Sequence, residues 1–130
     1  MMITPFYAAL FGIGLIWLSF KVISVRRKDK VSLGVAENEK LERRVRAHAN
    51  YCEFVPLGLI LIYCVEITWK QPLLTHVIAL TLLAGRAAHA RAFLGERMFF
   101  KWRTRGMLLT FFSIAAASVA LLVHSIKAFI

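Results

Sequence analysis

Four apolar stretches, each long enough to cross a bilayer, are the feature that most constrains how this chain can fold. They cover residues 3–25, 51–68, 73–92 and 106–126. An α-helix of about 20 residues spans about 30 Å, the thickness of the hydrocarbon core. Backbone groups inside a bilayer must be paired within the protein, so spans of this kind form helices. The sequence therefore predicts an all-α membrane protein, a bundle of four transmembrane helices, as a single domain over residues 1–130.

The composition argues against a soluble domain of the same length. Hydrophobic residues make up 59% of the 130 residues, against roughly 45–50% in soluble proteins. In a soluble protein the net charge of +10 would suggest a nucleic-acid partner. Here the positive residues cluster between apolar spans, where they determine topology and meet anionic lipid headgroups. We therefore expect no nucleic-acid partner.

Lysine and arginine are distributed unevenly among the connectors. Eight lie in residues 26–46 and six in residues 86–105, whereas the second turn has Lys70 alone and the C-terminal tail has Lys127 alone. The positive-inside rule places both basic connectors in the cytoplasm and both termini in the periplasm. The first span is too long for a signal peptide and has no basic segment before it, so we expect a retained helix.

Local signals predict where the helices begin and end. Asn38 is a good N-cap for the second helix, which begins outside the hydrocarbon and enters it near Tyr51. Pro56 lies inside this helix and predicts a kink or a freed carbonyl group. Cys52 and Cys64 are about 18 Å apart along it, too far for a disulfide, so we expect free thiols and no metal site.

The start of the second helix carries a polar stripe. Arg46, Asn50 and Glu53 are spaced i, i+4 and i+7, and Arg43 extends the stripe on the same face. Polar groups that approach the hydrocarbon normally face the bundle interior or a water-filled cavity. Two interpretations remain open, a structural Arg–Glu–Asn network between helices and a pocket for a charged ligand. His48 points away from the stripe, and we expect it on the surface.

A second set of basic residues lies at the same end of the predicted bundle. It consists of Arg26 at the end of the first span, Arg86 and His89 on the third, and Arg103 and Arg105 before the fourth. A collar that binds lipid headgroups would carry similar charges. Such a collar does not explain why Asn50, Glu53 and His89 lie at one depth. At the other end, we expect Glu66 to be solvated.

These residues resemble the signature of a known family. The pattern E-R-x-x-R-A-x-x-N-x-x-E-x-x-P is filled by Glu42, Arg43, Arg46, Ala47, Asn50, Glu53 and Pro56, and the run from Gly85 to His89 fits G-R-x-x-[HY]. Arg105 falls where the family carries an arginine that stabilises a thiolate. The chain thus resembles, over its whole length, the membrane-associated proteins in eicosanoid and glutathione metabolism (MAPEG), and it is most similar to their short bacterial inner-membrane members.

The resemblance implies a function and a set of roles. It implies a homotrimer in the bacterial inner membrane that binds glutathione between neighbouring subunits, near the cytoplasmic face, together with a lipophilic second substrate. The implied glutathione contacts are Arg26, Arg46, Asn50, Glu53 and His89, with Arg105 as the catalytic group that activates the thiol. Arg43, Arg86 and Phe93 have structural or secondary roles. Arginines clamp carboxylates, and a glutamate can hold the ammonium group.

The sequence also departs from the family at several contacts. Phe93 and Phe54 replace tyrosines that many members use, Leu109 replaces a polar or aromatic contact, Gly106 a serine and Ala49 an arginine. Two functions therefore stay open. One is a glutathione transferase or peroxidase for lipophilic electrophiles or hydroperoxides, and the other is a non-catalytic protein that binds glutathione or an anionic lipid. A small transporter is disfavoured because the first span contains no acidic residue.

Overall fold

The computed structural model describes residues 2–129, and these residues form four helices. The helices are α1 (Thr4–Asp29), α2 (Glu39–Trp69), α3 (Pro72–Leu94) and α4 (Phe100–Phe129). All four are long and apolar enough to cross a membrane. The predicted bundle of four transmembrane helices is confirmed at this level.

The two middle helices form the centre of the bundle. α1 packs against α2 and α3 on one side, and α4 packs against α3 and α2 on the other. Within the described residues the backbones of α1 and α4 do not approach each other closely. The core is apolar, and it includes Phe11 and Leu18 of α1, Ile62 and Val65 of α2, and Ala79 and Leu82 of α3. The outward faces are also apolar, as expected for helices that meet lipid.

The helix ends follow the local signals. The side chain of Asn38 accepts a hydrogen bond from the backbone N–H of Leu41 at 3.0 Å, so the predicted N-cap is confirmed. α2 continues through Pro56 as one helix. α4 begins at Phe100, before its apolar span, so the connector after α3 is only residues 95–99.

α3 and α4 approach each other closely through two glycines. A Cβ atom at Gly106 would lie 2.5 Å from the backbone nitrogen of His89 and 2.8 Å from the carbonyl oxygen of Gly85. Such distances leave no space for any side chain, so glycine permits backbone contact here. Ser113 reinforces the same interface by donating a hydrogen bond to the carbonyl of Ile78 at 2.8 Å. This contact fixes where His89 and the first turn of α4 lie.

The other end of the bundle is held by polar contacts between α1, α2 and α3. The Glu66 carboxylate accepts hydrogen bonds from the backbone N–H groups of Ile3 and Thr4, the latter at 2.9 Å. It therefore satisfies donors at the start of α1 that the helix leaves unpaired. Glu66 remains partly exposed, as expected, and also caps α1, a role that the sequence did not indicate. The Tyr7 hydroxyl lies 3.2 Å from Nδ1 of His76, which fixes the relative level of α1 and α3.

Replacing Gly106 with alanine should weaken the bundle. The added methyl group would force the backbones of α3 and α4 apart, at a cost of roughly 1–3 kcal/mol. Gly12→Ala is the matched control, because a Cβ atom at Gly12 meets nothing within 4 Å and alanine favours the helix by up to about 1 kcal/mol. Thermal unfolding in detergent should show a lower Tm for Gly106→Ala and an equal or higher Tm for Gly12→Ala. Equal Tm values for wild type and Gly106→Ala would contradict the close packing.

Candidate functional site

A pocket of about 610 Å³ opens between α2, α3 and α4. It lies at the basic end of the bundle, the end where α1 and α3 finish and α2 and α4 begin. Its volume falls in the range of roughly 300–1,000 Å³ that is typical of small-molecule sites. Apolar side chains form part of its wall, namely Phe93, Met98 and Phe100.

The remaining lining of this pocket is strongly charged and of both signs. It carries four arginines and three glutamates, with an amide and an imidazole: Arg43, Arg46, Arg97, Arg103, Glu39, Glu42, Glu96, Asn50 and His89. Oppositely charged groups that face one cavity suit a ligand that itself carries both charges. A lining of this kind is chemically suited to a small zwitterionic or polyvalent molecule.

Arg43 holds the outer edge of the pocket together. Its Nη1 lies 3.2 Å from the carboxylate of Glu39, and its Nη2 donates to the carbonyl of Glu96 at 3.0 Å. The arginine thus connects the first turn of α2 to the connector between α3 and α4. Its Nε is buried and has no hydrogen-bond partner among the described residues.

Of the nine residues to which the sequence analysis gives a site role, five meet at this pocket and four do not. Those that line it are Arg43, Arg46, Asn50, His89 and Phe93, and Arg103 joins them. Those that do not line it are Arg26, Glu53, Arg86 and Arg105. The sequence pattern thus predicted the α2 and α3 contributions better than those of α1 and α4.

Glu53 and Arg105 are exposed outside the pocket, for simple geometrical reasons. Glu53 follows Asn50 by almost one turn, so it shares the polar face of α2 but lies about 4.5 Å further along the helix. Arg105 is two residues beyond Arg103, and a separation of two residues turns a side chain by about 200° on a helix. Both side chains are exposed in the single subunit.

Arg26 lies on the opposite side of α2 from the pocket. Its Nη1 donates to the carbonyl of Gly34 at 3.0 Å and to that of Val31 at 3.4 Å, which holds the first connector against α1. Together with His48 and neighbouring side chains of α1 and α2, it lines a separate cavity of about 280 Å³. His48 faces away from the polar stripe, as expected, and is half-buried there, with Nε2 3.0 Å from the Ser19 hydroxyl.

Arg86 is the centre of a buried polar network behind the pocket. Its side chain is only 1% exposed. Nη1 donates to Oδ1 of Asn50 at 2.6 Å, and Nε and Nη2 donate to the hydroxyl of Thr110 at 2.9 and 2.5 Å. Thr110 in turn donates to the carbonyl of Gly106 at 2.8 Å. The guanidinium also lies over the ring of Phe54, 5.3 Å from its centroid. One side chain thus connects α2, α3 and α4.

The network determines how Asn50 can act in the pocket. Its Oδ1 accepts from Arg86, so its amide nitrogen is the group left to donate to a ligand. Arg86 is therefore a positioning residue for Asn50. This Arg–Asn–Thr network differs from the Arg–Glu–Asn network considered in the sequence, because it contains Arg86 and Thr110 and not Arg46 or Glu53. Thr110 was not singled out in the sequence, although a hydroxyl one turn into an apolar span, four residues after a glycine, was a detectable signal.

Replacing Arg86 with alanine should destabilise the fold strongly. The change leaves buried acceptors on Asn50 and Thr110 without a donor and opens a cavity, which together cost roughly 3 kcal/mol. Arg27→Ala removes an exposed arginine of α1 and should change stability by less than about 0.5 kcal/mol. Denaturant or thermal unfolding in detergent micelles measures both variants. A similar, small loss of stability in both would show that the Arg86 network contributes little.

Comparison with known proteins places this architecture in a family. The chain is 30% identical over 109 residues to the inner membrane protein YecN of Escherichia coli K12, an alignment that covers 84% of this chain and 82% of YecN. It matches YecN of E. coli O6:H1 to the same extent. These relatives agree with the similarity to short bacterial members noted above. The family model for MAPEG matches residues 4–123. The chain, with its four apolar helices and polar pocket at their basic end, therefore belongs to the MAPEG family.

Proposed function

We propose that this protein binds glutathione in the pocket between α2, α3 and α4, as a glutathione transferase or peroxidase for lipophilic electrophiles or hydroperoxides. The observation that carries the proposal is the charge pattern of the pocket. Arginines and glutamates face one cavity there. Glutathione has two carboxylates, one ammonium group and a thiol, so it matches a site with both kinds of charge.

The proposed contacts follow from the donors and acceptors that the pocket presents. Arg46 lines the pocket and supplies donors for a carboxylate. The amide nitrogen of Asn50 supplies another, because Arg86 occupies the oxygen. Glu39 and Glu42 line the same cavity and can hold the ammonium group. Glu53, the family's implied amine contact, lies outside the pocket of a single subunit.

Two subunits are needed for the full set of proposed contacts. Arg26 and the pocket lie on opposite faces of α2, so one glutathione molecule cannot reach both within a single chain. In a homotrimer, Arg26 of one subunit would approach the pocket of the next. The exposed carboxylate of Glu53 would lie near the same contact. This arrangement is what the family resemblance implies.

The thiol of bound glutathione requires activation. A thiol with a pKa of about 8.5 is only a few per cent ionised at pH 7, and lowering that pKa to about 6.5 requires roughly 2.7 kcal/mol of stabilisation of the thiolate. A nearby guanidinium can provide it. Arg103 lines the pocket and lies over the ring of Phe93, 5.7 Å from its centroid. The pocket geometry therefore favours Arg103 over Arg105 as the activating group in a single subunit.

A non-catalytic role is the second candidate, and one observation favours it. Among the described residues that line the pocket, none carries a hydroxyl group. Thiolates and developing anions are usually stabilised by several donors. A protein with this pocket would bind glutathione, or an anionic lipid headgroup, without chemistry. The YecN relatives are described by location alone.

We place the protein in the inner membrane with the pocket at the cytoplasmic face. The YecN relatives are named as inner membrane proteins. The basic connectors favour the cytoplasmic side by the positive-inside rule, which puts both termini in the periplasm. Glutathione is abundant in the cytoplasm, and a lipophilic second substrate would arrive from the bilayer.

Glutathione should stabilise the wild-type protein and not Arg46→Ala. A ligand at 100 times its Kd stabilises the folded state by about 2.7 kcal/mol, which is several degrees in Tm for a chain of this size. Thermal unfolding in detergent, with and without millimolar reduced glutathione, measures this shift. Arg27→Ala is the matched control, because it removes an exposed arginine outside the pocket.

The Tm shifts of the three proteins distinguish glutathione binding in the pocket from binding elsewhere on the protein. A shift in wild type and Arg27→Ala that is lost in Arg46→Ala supports the pocket. An equal shift in all three proteins contradicts the assignment of Arg46. The absence of any shift in wild type contradicts glutathione binding itself.

If the protein is an enzyme, ionisation of the thiol of bound glutathione should depend on Arg103. Ultraviolet difference absorbance of the glutathione complex reports the thiolate as pH rises. In wild type the thiolate should form well below pH 8.5, and in Arg103→Ala its midpoint should move up towards the free value of about 8.5. Arg105→Ala should have the smaller effect. Binding without a thiolate at pH 7 would favour the non-catalytic role, and a loss confined to Arg105→Ala would restore that residue as the activator.

A further inference from the structure

A second cavity lies on the other side of α3 and plays no part in the glutathione proposal. Its volume is about 730 Å³, and it runs between α1, α3 and the start of α4. We define this cavity as the α1–α3 groove. Its floor consists of small side chains of α3, including Ala84, Ala87 and Ala88. Three aromatic residues form its walls, Trp17, Phe99 and Trp102.

Two unpaired cations flank the α1–α3 groove. Arg91 lines it, with its guanidinium 5.4 Å from the ring centroid of Trp102. On the α1 side, the ammonium group of Lys21 lies 5.2 Å from the ring centroid of Trp17. Among the described residues neither cation forms an ion pair with a carboxylate, and no acidic residue lines the groove. The aromatic rings hold both positive charges at its edge.

The two cations lie at nearly the same depth. The contact between Tyr7 and His76 fixes the relative level of α1 and α3. From that contact Lys21 is 14 residues further along α1 (7 to 21), and Arg91 is 15 residues further along α3 (76 to 91). Both helices run in the same direction, so the two residues differ in rise from that contact by only about 1.5 Å. The two cations therefore lie at a similar level, one at the α1 wall of the groove and one at the α3 wall.

The position of Lys21 is otherwise costly. It interrupts the apolar first span, where a charged side chain is expensive and normally has a partner. An aliphatic residue at position 21 would be adequate if α1 only had to span the bilayer. Lys21 lies over Trp17, a wall of the groove that Arg91 also lines, so a negatively charged group at this edge would meet two cations.

We propose that the α1–α3 groove binds one anionic phospholipid of the surrounding bilayer. Its phosphate lies between Lys21 and Arg91, and one acyl chain lies along the alanine floor. The groove extends inward as a cavity of about 170 Å³ that shares Trp17, Ala87 and Ala90 with it and reaches Tyr51 and Arg86. The site thus combines a cationic head region with an apolar channel. It does not depend on glutathione binding.

Native mass spectrometry of the protein released from nanodiscs tests the proposal. The nanodiscs contain either phosphatidylglycerol or phosphatidylcholine with identical acyl chains. Wild type should retain one phosphatidylglycerol per subunit and less phosphatidylcholine. Arg91→Gln and Lys21→Gln should each weaken retention roughly fivefold, and Ala87→Phe should weaken it by filling the groove. Soluble glycerol phosphate should not compete, because it lacks the acyl chains.

The controls distinguish this site from a general basic collar and from a subunit interface. Arg27→Gln removes an exposed cation away from the groove, and Ala115→Phe enlarges an exposed alanine of α4. Neither should alter lipid retention. Equal losses in Arg91→Gln and Arg27→Gln, equal retention of both lipids, or full retention by Ala87→Phe would overturn the proposal. A changed oligomer mass in Ala87→Phe would instead identify the groove as a contact between copies. The glutathione-induced Tm shift should be the same in Arg91→Gln as in wild type, so failure of either proposal leaves the other intact.

Discussion

The structure depends on one buried cation and the neutral groups that hold it. Arg86 is almost fully buried behind the pocket, and it reaches α2 through Asn50 and α4 through Thr110. No carboxylate pairs with it in the described residues. A buried charge is costly unless hydrogen bonds satisfy it, so the three helices can pack here only in the register that supplies these acceptors. The network therefore specifies the arrangement of the helices at the same time as it orients Asn50 towards the pocket.

α3 packs closely against α4 but loosely against α1, and small residues are involved on both sides. On the α4 side, glycines at 85 and 106 bring the backbones into contact and leave no space between the helices. On the α1 side, alanines leave the α1–α3 groove open, because neither helix fills it with larger side chains. The closely packed α4 side holds His89 beside the charged pocket, whereas the α1 side borders the α1–α3 groove. Small residues of α3 thus permit close helix packing against α4 and leave a cavity against α1. The difference depends on which side chains the neighbouring helix presents.

The sequence predicted the helices and the α2 face of the site more reliably than contacts between distant helices. Apolar length and the Asn38 cap are local signals, and both correspond to observed features. Helical spacing placed Arg46 and Asn50 together correctly. It could not show that Arg86 occupies the oxygen of Asn50, or that Glu66 caps α1, because these pairs are 36 and 62 residues apart. The contact of His48 with Ser19 was missed for the same reason, since periodicity describes one helix at a time.

The opposite placement of Arg26 and the pocket has a consequence for assembly. At about 100° per residue, His48 lies roughly 160–200° around α2 from Arg46 and Asn50, and Arg26 lines the cavity on the His48 side. If one ligand contacts both Arg26 and Arg46, as we propose, each subunit must present its Arg26 face to the pocket face of the next. Two different surfaces joined in this way form a heterologous interface, which closes into a ring when the rotation permits. A cyclic trimer satisfies that requirement with one repeated contact, whereas a two-fold dimer would join like faces and leave Arg26 away from the ligand.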